Sequence, residues 1–329
     1  MAGFKRDSFH VLFNLDEYRF SFRGLLLLLI AFVGFHFLAA ILAPAFYKLV
    51  IVWNALSPNS LNTYLIGKPF PEFYDRTRIL LLLLSIPWLF MQCRLLSGRK
   101  LGFVGDFPWY STFLRFYMVG LVWSVAVLGI LMIAGAVAIK SSLSFWSLLA
   151  GLAGAFISAM IIGILEELIF RSLFFRMFYT ALAPMISVIL SSLFFAYMHF
   201  KHPSGLWDYN TPPAEVSWLD GFPVGFYVIF GIVVNFKLVL FLNLTLVGYV
   251  LTVVFMKGRS LWSSIGLHAG WVTPISLFMH IAVRNIDKHS AWWGTFRLAD
   301  GYFTSFCLLL IAFYFSRIYK PREPSSFTF

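Results

Sequence analysis

The chain has 329 residues, of which 60% are hydrophobic and only 12% charged, with a mean hydropathy of +0.84. That balance excludes a soluble globular domain and reads as an all-α, polytopic membrane helix bundle whose first partner is membrane lipid. The formal charge of +11 does not imply a nucleic-acid partner, because the Lys and Arg residues stand singly between apolar runs, where they mark loops on one side of a membrane.

In chain order, Lys5, Arg6, Arg19 and Arg23 precede an apolar run over residues 24 to about 47, too long for a signal-peptide core and therefore an uncleaved first span. His36 inside it reads as a packed or lumen-facing histidine. Pro58, Pro69 and Pro71 mark a connecting segment over 48–78, and a second span covers about 79–96. A turn with Arg99, Lys100, Gly102, Gly105 and Pro108 leads to a third span over about 113–139. The fourth run starts near Phe145 and passes Gly151, Gly154, Ala155, Ser158 and Ala159, small residues that let a neighbouring helix approach closely. Pro184 signals a turn before a fifth span to about 200, and residues 199–221, with His202 among them, read as a loop.

The apolar run over 222–256 exceeds one crossing and divides at Asn235 and Lys237 into an interfacial or re-entrant piece and a sixth span. Spans over about 261–283 and 302–319 bring the total to about eight. The organisation reads as an N-terminal membrane segment with three spans (1–144), a core (145–283), and a last span with a cytoplasmic tail (284–329). Fifteen of the 25 Lys and Arg residues fall on the side of the N-terminus, which predicts both termini in the cytoplasm. Cys93 and Cys307 lie far apart in apolar runs without ligand spacing and read as packing residues.

One stretch of the fourth run needs an explanation, because Glu166, Glu167 and Arg171 stand inside apolar sequence. An ionised side chain at the centre of a spanning helix costs roughly 2.5–3.5 kcal/mol on insertion scales, so such groups face the bundle interior and mark a site. Adjacent glutamates point about 100° apart on a helix, so they have different jobs. Glu167 and Arg171, at i and i+4 with the acid N-terminal, form the structural pair, which leaves Glu166 as a general base.

A helical hairpin folded about the turn at 182–183 sets Glu166 and His199 at one depth, on the order of 25 Å from its tip. His268, about 14 Å inward from Arg259 by helical rise, comes to a similar level. The chemistry available to these three is a Glu166–His199 dyad that deprotonates water for attack on an amide carbonyl, with His268 holding the oxyanion. The same three are also a candidate zinc set, although the chain lacks His-Glu-x-x-His. Phe195, Phe200 and Trp271 read as walls of an apolar cleft, and His280 as a packing residue.

In order and placement, Glu-Glu-x-x-x-Arg at 166–171, Phe-x-x-x-His at 195–199 and the His at 268 opening a later span resemble the type II CAAX prenyl endopeptidase and bacteriocin-processing (CPBP, ABI) family of glutamic intramembrane proteases. The resemblance covers roughly residues 145–283. It implies an endopeptidase with no metal and no cofactor, acting on a membrane-associated or lipidated protein or peptide near the cytoplasmic face. Glu166 and His199 would activate water, Glu167 and Arg171 would support them, and His268 would stabilise the oxyanion together with an Asn or Asp four residues on.

Here that fourth position is Val272. Loss of one oxyanion donor costs about a hundredfold to a thousandfold in rate, so a substitute is expected, Asn243 first and Asn235 second, each equally readable as an interhelical hydrogen-bonding residue. Val272 also suits a non-catalytic helper or immunity protein that keeps the bundle without the reaction. A transporter is disfavoured by the lack of a repeated half-sequence.

Overall fold

The computed structural model describes residues 21–93, 95–200, 213–284, 291–295 and 297–319. His202, most of the expected loop over 199–221, the basic residues Lys5, Arg6, Arg19 and Arg94, and the tail beyond 319 lie outside the described residues. The chain folds as an all-α membrane helix bundle. Its helices are α1 (Ser21–Leu56), α2 (Ser60–Ile66), α3 (Phe70–Gln92), α4 (Gly98–Leu101), α5 (Trp109–Ile133), α6 (Phe145–Glu167), α7 (Arg176–Ala181), α8 (Pro184–Met198), α9 (Gly221–Val234), α10 (Leu238–Gly258), α11 (Leu261–Ile281) and α12 (Tyr302–Phe313). A π-helical segment, Leu168–Phe175, joins α6 to α7, and a second, Tyr314–Ile318, ends α12.

Local chemistry sets the ends of the helices. Ser144 caps α6 by accepting from the Ser147 N–H at 3.1 Å, and Ser260 caps α11 by accepting from the Trp262 N–H at 3.2 Å. The third expected span stops earlier than predicted, at Ile133, because Gly135 turns the chain at φ 71° into β1 (Val137–Ile139). That strand pairs antiparallel with β2 (Ala282–Arg284), Val137 opposite Arg284 and Ile139 opposite Ala282. Three residues of alternation are too short a signal to read from sequence.

Four described helical stretches are long and apolar enough to cross a membrane: Gly24–Leu56, Trp109–Ile133, Phe145–Tyr179 and Leu238–Gly258. The other four expected crossings fall on α3, α8, α11 and α12, and the expected interfacial or re-entrant piece is α9. Burial runs opposite to that of a soluble protein. Ile30, Val33, Leu56, Ile133 and Trp146 are exposed, while Glu167, Arg171, Arg176 and Asn243 are buried. Only an apolar solvent makes that distribution favourable, and the chain is an integral membrane protein.

The described residues divide into two compact units. The first is built on Leu95–Ala196 and the chain from Lys237 onward, the second on Arg23–Arg94 and Tyr197–Phe236. In the first, α11 packs against both α5 and α6. A Cβ at Gly270 would strike the Tyr117 carbonyl oxygen, and one at Gly120 would strike the Leu267 carbonyl, so α5 and α11 meet backbone to backbone. Polar ties cross the same interface, from Tyr117 Oη to Thr273 Oγ1 at 3.3 Å and from Ser124 Oγ to the Trp271 carbonyl at 3.4 Å.

Of the small residues expected to admit a neighbour on α6, Ala155 and Ala159 are buried, whereas Gly154 faces open space. His280 bonds with Ser147 Oγ at 3.1 Å. In the second unit His36 is a packed histidine, its Nδ1 3.1 Å from Tyr74 Oη above a core of Ala39, Ala43, Tyr47, Phe70 and Val224. Cys93 and Cys307 are both free thiols.

Candidate active site

The site is built where α6 gives way to the π-helical segment. Glu166 and Glu167 are the last two residues of regular α-helix, and Arg171 lies in the wider turn that follows. Such π turns recur at functional sites, where the extra backbone width re-aims side chains. Two partly buried hydrogen bonds anchor the segment. Ser172 Oγ donates to the Leu101 carbonyl at 2.6 Å, and Arg176 Nη1 donates to the Lys100 carbonyl. Arg176 counts toward the cytoplasmic charge in a sequence tally, yet it is buried and serves packing.

Glu167 and Arg171 form a fully buried pair, Oε1 to Nη1 at 3.0 Å. The guanidinium also donates through Nη2 to the Gly248 carbonyl of α10 at 3.2 Å and lies over the Phe195 ring at 5.0 Å. A buried ion pair is tolerated only with such additional partners, because desolvating both charges offsets most of their attraction.

The same Glu167 oxygen has a second partner that sequence spacing did not reveal. His268 Nδ1, from α11, lies 2.9 Å from it. An ionised carboxylate only accepts, so Nδ1 carries the hydrogen and donates it. The other ring nitrogen, Nε2, faces Glu166 Oε2 at 3.9 Å. Phe195 walls the imidazole edge-on at 6.3 Å between ring centroids.

The two adjacent carboxylates thus have unlike surroundings. Glu167 is 0% exposed and committed to Arg171 and His268, whereas the Glu166 side chain is 28% exposed. Glu166 Oε2 is itself shielded and has no hydrogen-bond partner among the described residues. It is a carboxylate oxygen beside an imidazole nitrogen, 3.9 Å away.

Glu166, Glu167, Arg171 and His268 come together within the first unit. His199 follows the end of α8, half-buried, and belongs to the second unit with Tyr197 and Phe200. Asn235 also belongs to that unit, where its N–H closes α9 on the Gly231 carbonyl at 2.9 Å. Val272 is half-buried on α11. Trp271 packs its ring 5.6 Å from Trp123 of α5.

Asn243 makes the structural hydrogen bonds that are the other reading of this residue. Its amide nitrogen donates to the Ala299 carbonyl at 3.1 Å and the Gly301 carbonyl at 3.2 Å, tying α10 to the chain before α12. Both N–H groups are spent there, and the remaining amide oxygen is an acceptor, which cannot stabilise an oxyanion. Depth along a helix said nothing about which face the side chain takes. Among the described residues no group of three or more His, Cys, Asp or Glu side chains is placed to hold a metal ion.

Residues 146–273 match the family model of type II CAAX prenyl endopeptidases, Rce1-like. That stretch is similar to the Rce1-like family. The matched segment begins in the first turn of α6, ends inside α11, and includes Glu166, Glu167, Arg171, His199 and His268. No curated protein and no solved structure matches the chain. The Rce1-like family is one of endopeptidases, and the buried cluster lies inside the matched stretch.

Proposed function

We propose that the chain is a glutamic-type intramembrane endopeptidase that cleaves a membrane-associated or lipidated protein near the cytoplasmic face of a multi-pass bundle with both termini cytoplasmic. One observation carries this reading: Glu166, uncommitted and partly open, lies 3.9 Å from the imidazole that Glu167 holds in place. In the reaction Glu166 takes a proton from water, and the water oxygen attacks the amide carbonyl carbon. The carbonyl oxygen becomes an oxyanion, which His268 stabilises through Nε2–H.

With Nδ1–H already given to Glu167, that second N–H requires the imidazolium form, in which the two cations His268 and Arg171 face the two carboxylates Glu166 and Glu167. Collapse of the tetrahedral intermediate breaks the C–N bond, and the proton taken from water passes to the leaving amine. Every group in this sequence is a side chain, so the proposal requires no metal.

A second reading, a non-catalytic membrane helper, rests on a specific observation. Val272 offers no hydrogen bond one turn beyond His268, and the Asn243 donors are engaged elsewhere. Reconstituted protein incubated with prenylated C-terminal peptides and apolar leader peptides, with and without chelator, separates the readings. Cleavage that survives chelation supports the glutamic mechanism. Cleavage lost to chelator and restored by zinc overturns it for a zinc protease, and no cleavage of any peptide leaves the helper.

A further inference from the structure

The proposed hydrolysis makes no use of a group of cations at one end of the first unit. There α5 starts at Trp109 without a side-chain cap, α10 ends with Lys257 and Gly258 followed by Arg259, and the chain leaves the last π turn at Tyr319. These ends surround a cavity of about 270 Å³ lined by Asp106, Ser111, Arg115, Lys257, Arg259 and Tyr319.

Three cations there meet one carboxylate. Asp106 Oδ2 is 3.2 Å from Arg259 Nη1, which accounts for one of them. Lys257 Nζ donates to the Ser316 and Tyr319 carbonyls, each at 3.0 Å, contacts that fix the ammonium at the wall without neutralising it. The Arg115 guanidinium stacks on the Tyr319 ring at 5.4 Å and lies 5.9 Å from that of Phe116. Among the described residues Arg115 has no carboxylate partner and no side-chain hydrogen bond.

A guanidinium stacked on a ring keeps its N–H edge free, and that edge matches two oxygens of a phosphate. The first turn of α5 adds the positive end of a 25-residue helix, whose leading N–H groups have no intrahelical acceptor.

We propose that this cavity binds a phosphate-type anion, supplied by the headgroup of an acidic phospholipid. Its placement favours the bilayer as the source. The cavity lies at the ends of α5 and α10, two helices long and apolar enough to cross a membrane, which is where a headgroup layer begins. Beside it Trp109, Tyr110 and Leu114 are exposed, the aromatic and aliphatic surface of a helix entering lipid.

The test uses the full-length protein in maltoside micelles, titrated with short-chain phosphatidylglycerol, with phosphatidylcholine of equal chain length, and with inorganic phosphate. Bound lipid is read by native mass spectrometry and stability by melting temperature. Phosphatidylglycerol is expected to bind about tenfold more tightly than phosphatidylcholine, with Arg115→Gln removing the preference at an unchanged lipid-free melting temperature. Arg99→Gln removes the same charge from an exposed residue outside the cavity and is expected to keep the preference.

Competition of inorganic phosphate with phosphatidylglycerol supports recognition of the phosphate itself. Phosphate binding without phosphatidylglycerol binding overturns the lipid source. Equal affinity for the two lipids, or a preference that survives Arg115→Gln, overturns the site.

Discussion

Glu167 gives one carboxylate oxygen to two cationic or hydrogen-donating partners, Arg171 at 3.0 Å and His268 at 2.9 Å. Glu167→Gln keeps an acceptor for the imidazole but strands a buried guanidinium, which costs about 3–5 kcal/mol and is read as a fall in melting temperature. The double variant Glu167→Gln with Arg171→Met is expected to regain most of that loss, because no unpaired charge remains. A single variant that melts like the parent would show that the pair holds nothing together. At Val272 the expected gain runs the other way: Val272→Asn adds a donor one turn from His268 and is expected to raise peptide turnover, up to about a hundredfold. The Glu167–Arg171 pair was legible as an i, i+4 spacing. The link to His268 was not, because depth counting brings a histidine to the level of two glutamates without saying which one it meets.

α11 is the element that delivers His268, and its position is set by contact too close for side chains. A Cβ at Gly270 would strike the Tyr117 carbonyl, and one at Gly266 would strike the Phe113 carbonyl. Gly270→Leu therefore pushes α11 off α5, with an overpacking cost of about 1–3 kcal/mol or more and a loss of turnover through the displaced imidazole. Val272→Leu, at a half-buried position of the same helix, is the control expected to change both little. Equal behaviour of the two variants, compared by turnover and melting temperature, would remove the glycine contact from the account. Small residues along the fourth run announced close packing, but within the first unit the tightest contacts of a glycine with another helix's backbone, at Gly120, Gly266 and Gly270, fall between α5 and α11. The π turn after Glu167 left no trace in composition, since it differs from α-helix by one step of hydrogen-bond register.

For the whole molecule, hydropathy alone carried the all-α membrane fold, because a bilayer admits few other solutions to backbone hydrogen bonding. The division into two units did not follow from it, since each unit draws on separated stretches that only tertiary contacts join. Topology is tested in a background with Cys93 and Cys307 replaced by Ala. Ser97→Cys is expected to react with an impermeant thiol reagent from the cytoplasmic side, and Lys140→Cys from the opposite side; the reverse pattern inverts the proposed orientation.

The central claim is that Glu166 is the base, and its most direct test is turnover of a cleaved peptide by Glu166→Gln in proteoliposomes. The account predicts a loss of at least about a hundredfold, with a melting temperature equal to that of the parent because Glu166 holds no ion pair with Arg171. Near-parental turnover by Glu166→Gln would contradict it.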